Sequence, residues 1–490
     1  MKRQEEYDII VIGGGPAGMA AAVAAKKEGA KRVAILEQQD FLGGILPQCI
    51  HDGFGLHLFG ANMTGPEYAL FYRELCAEHH IDTFLSTTVM SINTQREIFC
   101  VGKILGARTL RPKAIILAMG CKERSRGALR IPGTRPAGVY TAGAAQYMIN
   151  IQNCLPGKKA VILGLGDIGL IMARRLTWEG AAVKMIVGLE ANGLQRNMVQ
   201  CVKDLEIPLK LGYTVTKIHG VKRLKGVSIA EVKEGRVRSD TERYVPCDTL
   251  LLAAGLLPEV ELAKMAGVDL DPQSGGVRID VSGQSSIPGI FACGNVTFVH
   301  DLVDFVTMGA EATGKATAVF IKNETEHLPE DFPQGKESRK WGGAEKKGLP
   351  DLPQDTKTAR HLICTLCPVG CKIECTLQEA WNVQGHQCEK GKTYALQEME
   401  APLRLFTSTV KWKGDKGFGE LSLPGSDFIG PLLPVKTSMP IPKSKIPEVA
   451  KCCRKLEAEA PIQQGQVILE NIAQTGADLV ACTEIPADRL

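Results

Sequence analysis

The sequence predicts an α/β protein built on two Rossmann-like dinucleotide-binding domains, with a small cysteine-rich domain towards its C-terminal end. Three observations carry this. Two G-x-G-x-x-G turns, at 13–18 and 164–169, each follow an apolar β-branched stretch and open a helical one. A polar stretch with four prolines follows them. Beyond it the chain turns cysteine-rich, opening with Cys364, Cys367, Cys371 and Cys375.

The first cradle begins with Tyr7 to Ile12, a buried parallel strand by composition. Gly13 permits the tight turn, Gly15 lets backbone approach a pyrophosphate, and Gly18 lets helix pack on strand. Pro16 and Ala17 open an Ala-rich helix expected to reach about Gly29, whose N-terminal N–H groups suit phosphate. A second strand, Arg32 to Leu36, ends at Glu37, an acid placed for a ribose diol.

The second cradle repeats the pattern. A strand from Lys158 to Leu163 runs into Gly164, Gly166, Asp167, Ile168 and Gly169, then a helix to about Glu179 and a strand from Ala182 to Val187. Two cradles imply two dinucleotides. Past the second strand tip, Glu190 comes two residues late and no arginine directly follows to grip a 2′-phosphate, Arg196 lying further on. The reading therefore leans to NADH over NADPH.

Size and composition bound the rest. The 490 residues suggest about three domains. At 44% hydrophobic the chain can pack ordinary cores, which excludes a mainly disordered or fibrous protein. Lysine plus arginine number 58 against 54 acids, so the +4 net charge points to no nucleic-acid or membrane-surface partner. No apolar run reaches the roughly 18 residues of a transmembrane helix. The opening MKRQEEYDIIVIGGGPAG reads as a strand, not a signal peptide. Sixteen cysteines without an export signal point to thiols, metal or redox centres, and to a cytoplasmic, reducing home.

With Leu117-Ala118-Met119-Gly120, Ala253-Ala254-Gly255-Leu256-Leu257-Pro258 and Ile290-Phe291-Ala292-Cys293-Gly294-Asn295 in their expected order, the chain resembles the thioredoxin-reductase-like pyridine-nucleotide oxidoreductases over residues 1 to about 322. The resemblance implies FAD in the first cradle and NAD(P)H in the second. It implies an FAD domain at 1–121 and 256–322, interrupted by an NAD(P) domain at 122–255. It adds Gly44, Val89, Ala118, Gly120, Gly294 and Asn295 to the FAD site, and Gly255 to the NAD(P) site. A helix beginning near Val306 or Thr307 would aim its N-terminus at the flavin pyrimidine, favouring reduced, anionic flavin. Asn295 stands where the family usually has aspartate, and an amide still hydrogen-bonds a ribityl hydroxyl.

The family's paired cysteine is missing from both usual places. Gly43-Gly44 leads only to Cys49, and the stretch Thr141 to Gln146 before the second cradle has no cysteine. Disulfide reduction by that route is not expected. Cys49, Cys121 and Cys293 are read as buried structural thiols. His51, Asp52, His300 and Asp301 are read as packing or hydrogen-bonding groups unless a small substrate binds at the ring.

The stretch Asn323 to Arg360 lacks periodicity and is expected to be a flexible linker, leaving a cysteine-rich domain at 361–490. Its C-x2-C-x3-C with a remote cysteine can wrap a cluster, so a [4Fe–4S] centre on Cys364, Cys367, Cys371 and Cys388 is expected. Zinc is the competing metal, although only one C-x2-C knuckle is present, and a metal-free domain stays open. Cys375 is a fifth thiol that either replaces Cys371 or Cys388 or packs. His386 is read as a turn residue. The adjacent Cys452 and Cys453 on a helix face different ways and make poor joint ligands.

This stretch is similar to the small [4Fe–4S] module of molybdopterin oxidoreductases. The tail, with Cys388-Glu-Lys-Gly-Lys-Thr-Tyr394 and Pro434-Val-Lys-Thr437-Ser-Met-Pro440, resembles a cysteine-rich domain that accompanies glycerol-3-phosphate dehydrogenases in anaerobic bacteria. Together these imply an FAD-dependent oxidoreductase that exchanges electrons between NAD(P)H and a partner. That partner would be an FAD-dependent glycerol-3-phosphate dehydrogenase subunit. The alternative is a self-sufficient NAD(P)H oxidase or reductase of a small substrate, with a zinc-bound tail. Homo- or hetero-oligomeric assembly is left open by the residues.

Overall fold

A run of apolar β-branched residues with no polar interruption can only be a strand covered on both faces, and Ile9–Ile12 is buried at every position. It lies at the centre of a five-stranded parallel sheet ordered Ile290–Ala292, Ala114–Leu117, Ile9–Ile12, Val33–Leu36 and Asp82–Phe84. The computed structural model describes residues 7–191, 193, 195–323, 355–356, 359–366, 370–378, 380–414, 417–418 and 432–486. The helix Pro16–Lys27 follows the central strand, and the long helix Val303–Asn323 packs against it. Their approach is close: a Cβ on Gly314 would stand 2.2 Å from the Ala21 carbonyl oxygen.

The second sheet repeats the plan. Its parallel order is Val139–Thr141, Thr249–Leu252, Lys159–Leu163, Ala182–Gly188 and Leu209–Leu211, again with the cradle strand central. An antiparallel meander flanks each sheet, Thr87–Ile92 to Gly106–Leu110 in the first case and Tyr213–Gly220 to Arg243–Pro246 in the second. Each parallel sheet carries an apolar core on both faces. The chain crosses between them through an antiparallel ribbon, Cys121–Glu123 against Leu256–Pro258, where the boundaries expected at 121/122 and 255/256 fall.

Two features of the expected linker and helix differ. Within Asn323 to Arg360, Ala359 and Arg360 are not linker; they pair with Thr376 and Cys375 in a strand. Residues 324–354 and 357–358 lie outside the described residues. The long helix starts at Val303, earlier than the expected Val306 or Thr307. The reason is Asp304: its carboxylate accepts the backbone N–H groups of Gly55, His57 and Leu58, which fixes the first turn three residues sooner.

The tail has two parts. A three-stranded antiparallel sheet, Ala359–Ile363, Lys372–Leu377 and Trp381–Gln384, with the helix Glu389–Glu400, encloses a small core containing Cys364, Cys371 and Cys375. A six-stranded sheet and the helix Ile446–Cys453 form a second core, into which Trp178 inserts from the end of the second cradle helix. Trp178 meets Phe406 there at a ring separation of 4.9 Å.

Candidate active site

The first cradle is shaped by what a side chain would hit. Gly13 adopts φ +106°, and a Cβ there would lie 2.4 Å from the Ala118 carbonyl oxygen. At Gly18 it would lie 1.8 Å from the Gly13 oxygen. Gly15 differs: its Cβ would meet only Gly44 Cα, at 3.9 Å, so it faces open space. Pro16 takes the first helical position and no side chain caps the helix, which leaves its N–H groups for an anion. That is the shape a pyrophosphate needs, so the residues fit FAD.

Glu37 is buried beside this space and accepts N–H bonds from Gly14 at 2.6 Å and Gln39 at 2.8 Å. Burial raises its pKa, and the backbone bonds oppose that. Each oxygen keeps a second lone pair for a ribose hydroxyl. Gly44 approaches the cradle with φ +57°, a Cβ there lying 3.0 Å from Gly15 Cα. Ala118 is buried at a strand end, and Gly120 turns away at φ +71° into open space. Val89 is half-buried in the meander, packed against the core beneath it. Gly294 sits on the first turn of the cradle helix, its Cβ position 2.7 Å from Ala17.

Asn295 is already engaged. Its oxygen accepts the His300 N–H at 3.0 Å, and its amide donates to Cys121 Sγ at 3.6 Å. Val306 and Thr307 are buried one turn inside the long helix, where Thr307 and Tyr68 exchange a hydroxyl hydrogen bond of 2.8 Å. Cys49 and Cys293 are buried thiols whose pKa burial pushes up to about 12. The Cys49 thiol donates to Gln146 Oε1 at 3.7 Å.

In the second cradle Gly164 has φ +122° and would clash with the Ala253 carbonyl oxygen at 2.1 Å. Gly169 would meet the Gly164 oxygen at 2.5 Å, whereas a Cβ on Gly166 would have nothing within 4 Å. Gly166 is again the open position, at the start of the uncapped helix Asp167–Trp178. Asp167 accepts the Asn197 amide at 2.7 Å, and Ile168 is half-buried behind it. Glu190 is exposed two residues beyond the strand end at Gly188. Gly255, at φ +100°, lies on the crossing ribbon and accepts the Arg124 N–H at 3.1 Å, rather than lining the phosphate turn. The Arg196 side chain lies outside the described residues.

Where the 51–57 loop of the first domain meets the start of the second cradle helix there is a cavity of about 130 Å³. The first domain contributes His51, Asp52, His57 and Asp301 to its wall; the second contributes Asp167, Ile171 and Asn197. Thr365, Leu366 and Gly370, from the loop between Cys364 and Cys371, complete it. Sequence reading named His51, Asp52 and Asp301 but passed over His57 and Asp304; the repeated glycines at 53 and 55 were the available signal of a loop shaped around something. His300, also read as a group near the ring, is half-buried, and desolvation lowers its pKa.

Among the described tail cysteines, Cys364 and Cys388 bring their sulfurs to one place. The Cys364 N–H donates to the Cys371 carbonyl oxygen at 2.9 Å, closing the loop. Cys388 caps the helix Glu389–Glu400, its sulfur accepting the Gly391 N–H at 3.4 Å. A Cβ on Gly391 would lie 3.8 Å from both Cys364 Sγ and Cys388 Sγ, so two sulfurs from distant parts of the chain share one saddle. Cys375 alternates with Ile373 into the small core, and burial raises its pKa. Cys367 lies outside the described residues, and among the described residues no three metal-capable groups are arranged to hold an ion.

The tail is fastened to both domains. Arg175 bonds Asn150, Ser408 and Thr409 at 2.7–3.1 Å and pairs with Glu179 at 2.8 Å. Arg404 bridges Glu398 and Asp204, each at 2.7 Å, and Lys436 reaches Glu67 in the first domain at 2.6 Å. No helix among the described residues is long and apolar enough to cross a membrane.

Comparison with known proteins agrees with this architecture. The family described as pyridine nucleotide-disulphide oxidoreductase matches residues 7–318. A family described only as a protein of unknown function matches residues 389–483. An opine oxidase component of Agrobacterium tumefaciens is 27% identical over 64% of this chain and 65% of its own length. Ferredoxin–NADP reductase of Streptococcus pneumoniae is 27% identical over 62% of this chain and 90% of its own. The chain thus spans less than two thirds of the opine oxidase component. Among solved structures, thioredoxin reductase of T. acidophilum superposes over 65% of this chain and 99% of its own, with TM-score 0.52 and 23% identity, a likeness of fold.

Proposed function

The chain belongs to the pyridine nucleotide-disulphide oxidoreductase family, and on that footing we propose that it exchanges electrons between NAD(P)H and a partner protein without a redox disulfide of its own. FAD and NAD(P)H follow from the family. The observation that carries the finer reading is the shared cavity: Thr365, Leu366 and Gly370, beside Cys364 and Cys371, line the same space as the 51–57 loop of the first domain and Asp167 of the second cradle helix.

Residues around Gly15 and Glu37 would hold FAD, those around Gly166 the nicotinamide dinucleotide, and Cys364, Cys367, Cys371 and Cys388 a [4Fe–4S] cluster. Bound FAD supplies hydride exchange with nicotinamide, and a cluster supplies single-electron transfer. The chain's own part is placement and exclusion. Asp304 ties the 55–58 loop to the long helix, which sets the cavity floor. Arg175 and Arg404 hold the tail so that its cysteine loop covers the cavity from water. Buried Cys49 and Cys293 stay protonated and take no charge near the ring.

The partner is proposed as an FAD-dependent glycerol-3-phosphate dehydrogenase subunit, on the resemblance of the tail. NADH is preferred over NADPH, because no arginine directly follows the second strand tip. A cytoplasmic home accords with the many unpaired thiols. Reconstitution tests the reading. NADH should form from glycerol 3-phosphate and NAD⁺ only when the dehydrogenase subunit is mixed with this chain. Equal NADH oxidation by oxygen with and without that subunit would contradict it. A second reading rests on the cavity: His51, His57 and Asp301 surround room for a small substrate, which would make the chain a self-sufficient reductase with a zinc-bound tail.

A further inference from the structure

A second cavity, of about 710 Å³, lies between the tail and the far end of the second cradle helix. Four cationic side chains face it: Arg174, Arg404, Lys443 and Arg454. Two are matched. Arg404 pairs with Asp204 and Glu398, and Lys443 with Asp204 at 2.9 Å. The other two have no carboxylate among the described residues. Arg174 is only 6% exposed, and its guanidinium lies over the Trp178 ring, 4.8 Å from the centroid, without a hydrogen bond among the described residues. Arg454 donates to the carbonyl oxygen of the same Trp178. Glu400, the remaining acid in the wall, is exposed and among the described residues pairs with neither.

The local charge does not balance. Burial lowers the pKa of Arg175; Glu179 opposes this, and the nearby charges of Arg174 and Arg454 add to the lowering more weakly. The C-terminus of the helix Asp167–Trp178 contributes roughly half a negative charge, so roughly one to two positive charges are left over. Arg174 is the buried one of the two and Arg454 is exposed beside it; burying a cation is costly unless an anion meets it, so the cavity favours an anionic occupant. Two guanidinium groups fixed on one tryptophan suit the forked oxygens of a phosphate. The lining also includes Leu205, Pro402, Ile446 and Pro447, apolar groups that suit an organic body.

We propose that this cavity binds an organic phosphomonoester, its dianionic phosphate held by Arg174 and Arg454. The site is separate from both dinucleotide cradles, and its lining includes no cysteine of the tail. Its occupant bridges the second cradle helix and the tail, adding an ionic tie where Arg175 already supplies hydrogen bonds.

Isothermal titration of the holoprotein, with FAD and NADH present so that both cradles are filled, tests this with inorganic phosphate and phenyl phosphate as probes. Phenyl phosphate should bind, and more tightly than inorganic phosphate. Arg454→Gln, at an exposed position, and Arg174→Met, which keeps an aliphatic stem over Trp178, should each weaken it roughly tenfold or more. NADH-driven flavin bleaching should be unchanged in both. If Arg174→Met fails to fold, Arg454→Gln decides alone. No binding by the wild type, or equal binding by Arg454→Gln, would overturn the site; tighter binding of succinate than of phenyl phosphate would overturn the ligand class.

Discussion

Replacing Gly15 by valine separates the fold from the flavin. The backbone there has φ −75° and ψ −175°, which valine accepts, and its Cβ would meet only Gly44 Cα at an ordinary 3.9 Å. The apoprotein should therefore melt within about 1 kcal/mol of wild type. The added methyl groups instead fill the space before the helix N-terminus, where a pyrophosphate must approach. Losing two charge-assisted N–H bonds to phosphate, at about 1.5–3 kcal/mol each, removes about 3–6 kcal/mol of binding. That weakens FAD by roughly 10²- to 10⁴-fold. Gly18→Ala is the contrast: its Cβ would sit 1.8 Å from the Gly13 carbonyl oxygen, so the backbone must move and stability falls with the flavin. Titrating apoprotein with FAD by fluorescence quenching, beside a thermal melt, reads both. Gly15→Val binding FAD as wild type does would refute the cradle assignment, and loss of the fold would refute the reading that the space belongs to a ligand.

Other outcomes follow from the same geometry. Gly166→Val, at the matching open position, should keep FAD yet lose bleaching by NADH in an anaerobic titration. Cys367→Ser, and Gly391→Val, whose side chain would wedge between Cys364 and Cys388, should lose tail metal by elemental analysis while flavin bleaching persists. Arg404→Met leaves Glu398 and Asp204 without their guanidinium and should cost about 3–5 kcal/mol in a denaturant melt. Cys49 and Cys293 are raised from their ordinary value of 9.0 to about 12, so their contribution to stability is present below about pH 9 and lost as the pH rises through about 12. Native protein at pH 8 should leave both unalkylated by iodoacetamide, and denatured protein should not.

What the residues disclosed in advance was local. A buried β-branched strand, a glycine turn and an uncapped helix dictate a phosphate cradle within some 20 residues, so both cradles and the strand that follows each were legible. The start of the long helix was not. It depends on Asp304 meeting N–H groups almost 250 positions away in the chain, and no window of sequence contains that pairing. Gly255 carries a further long-range feature: its carbonyl accepts the Arg124 N–H at the start of the ribbon joining the domains, a pairing no local window contains. Cys375 shows the reverse case. Metal spacing left its role open, and strand alternation puts it in the small core with Ile373. The cavity lined by all three parts of the molecule, and the anchoring of the tail through Arg175 and Trp178, arise only from tertiary docking.

The proposed electron route runs from nicotinamide, through the flavin of the first cradle, to the tail cysteines. Anaerobic purification followed by flavin, iron, sulfide and zinc analysis, with EPR spectra recorded during NADH titration, tests it most directly. The account predicts about one FAD, four irons and four sulfides per chain, with flavin bleaching and a reduced-cluster signal rising together. Zinc or no metal in the tail, with only the flavin bleaching, would contradict it.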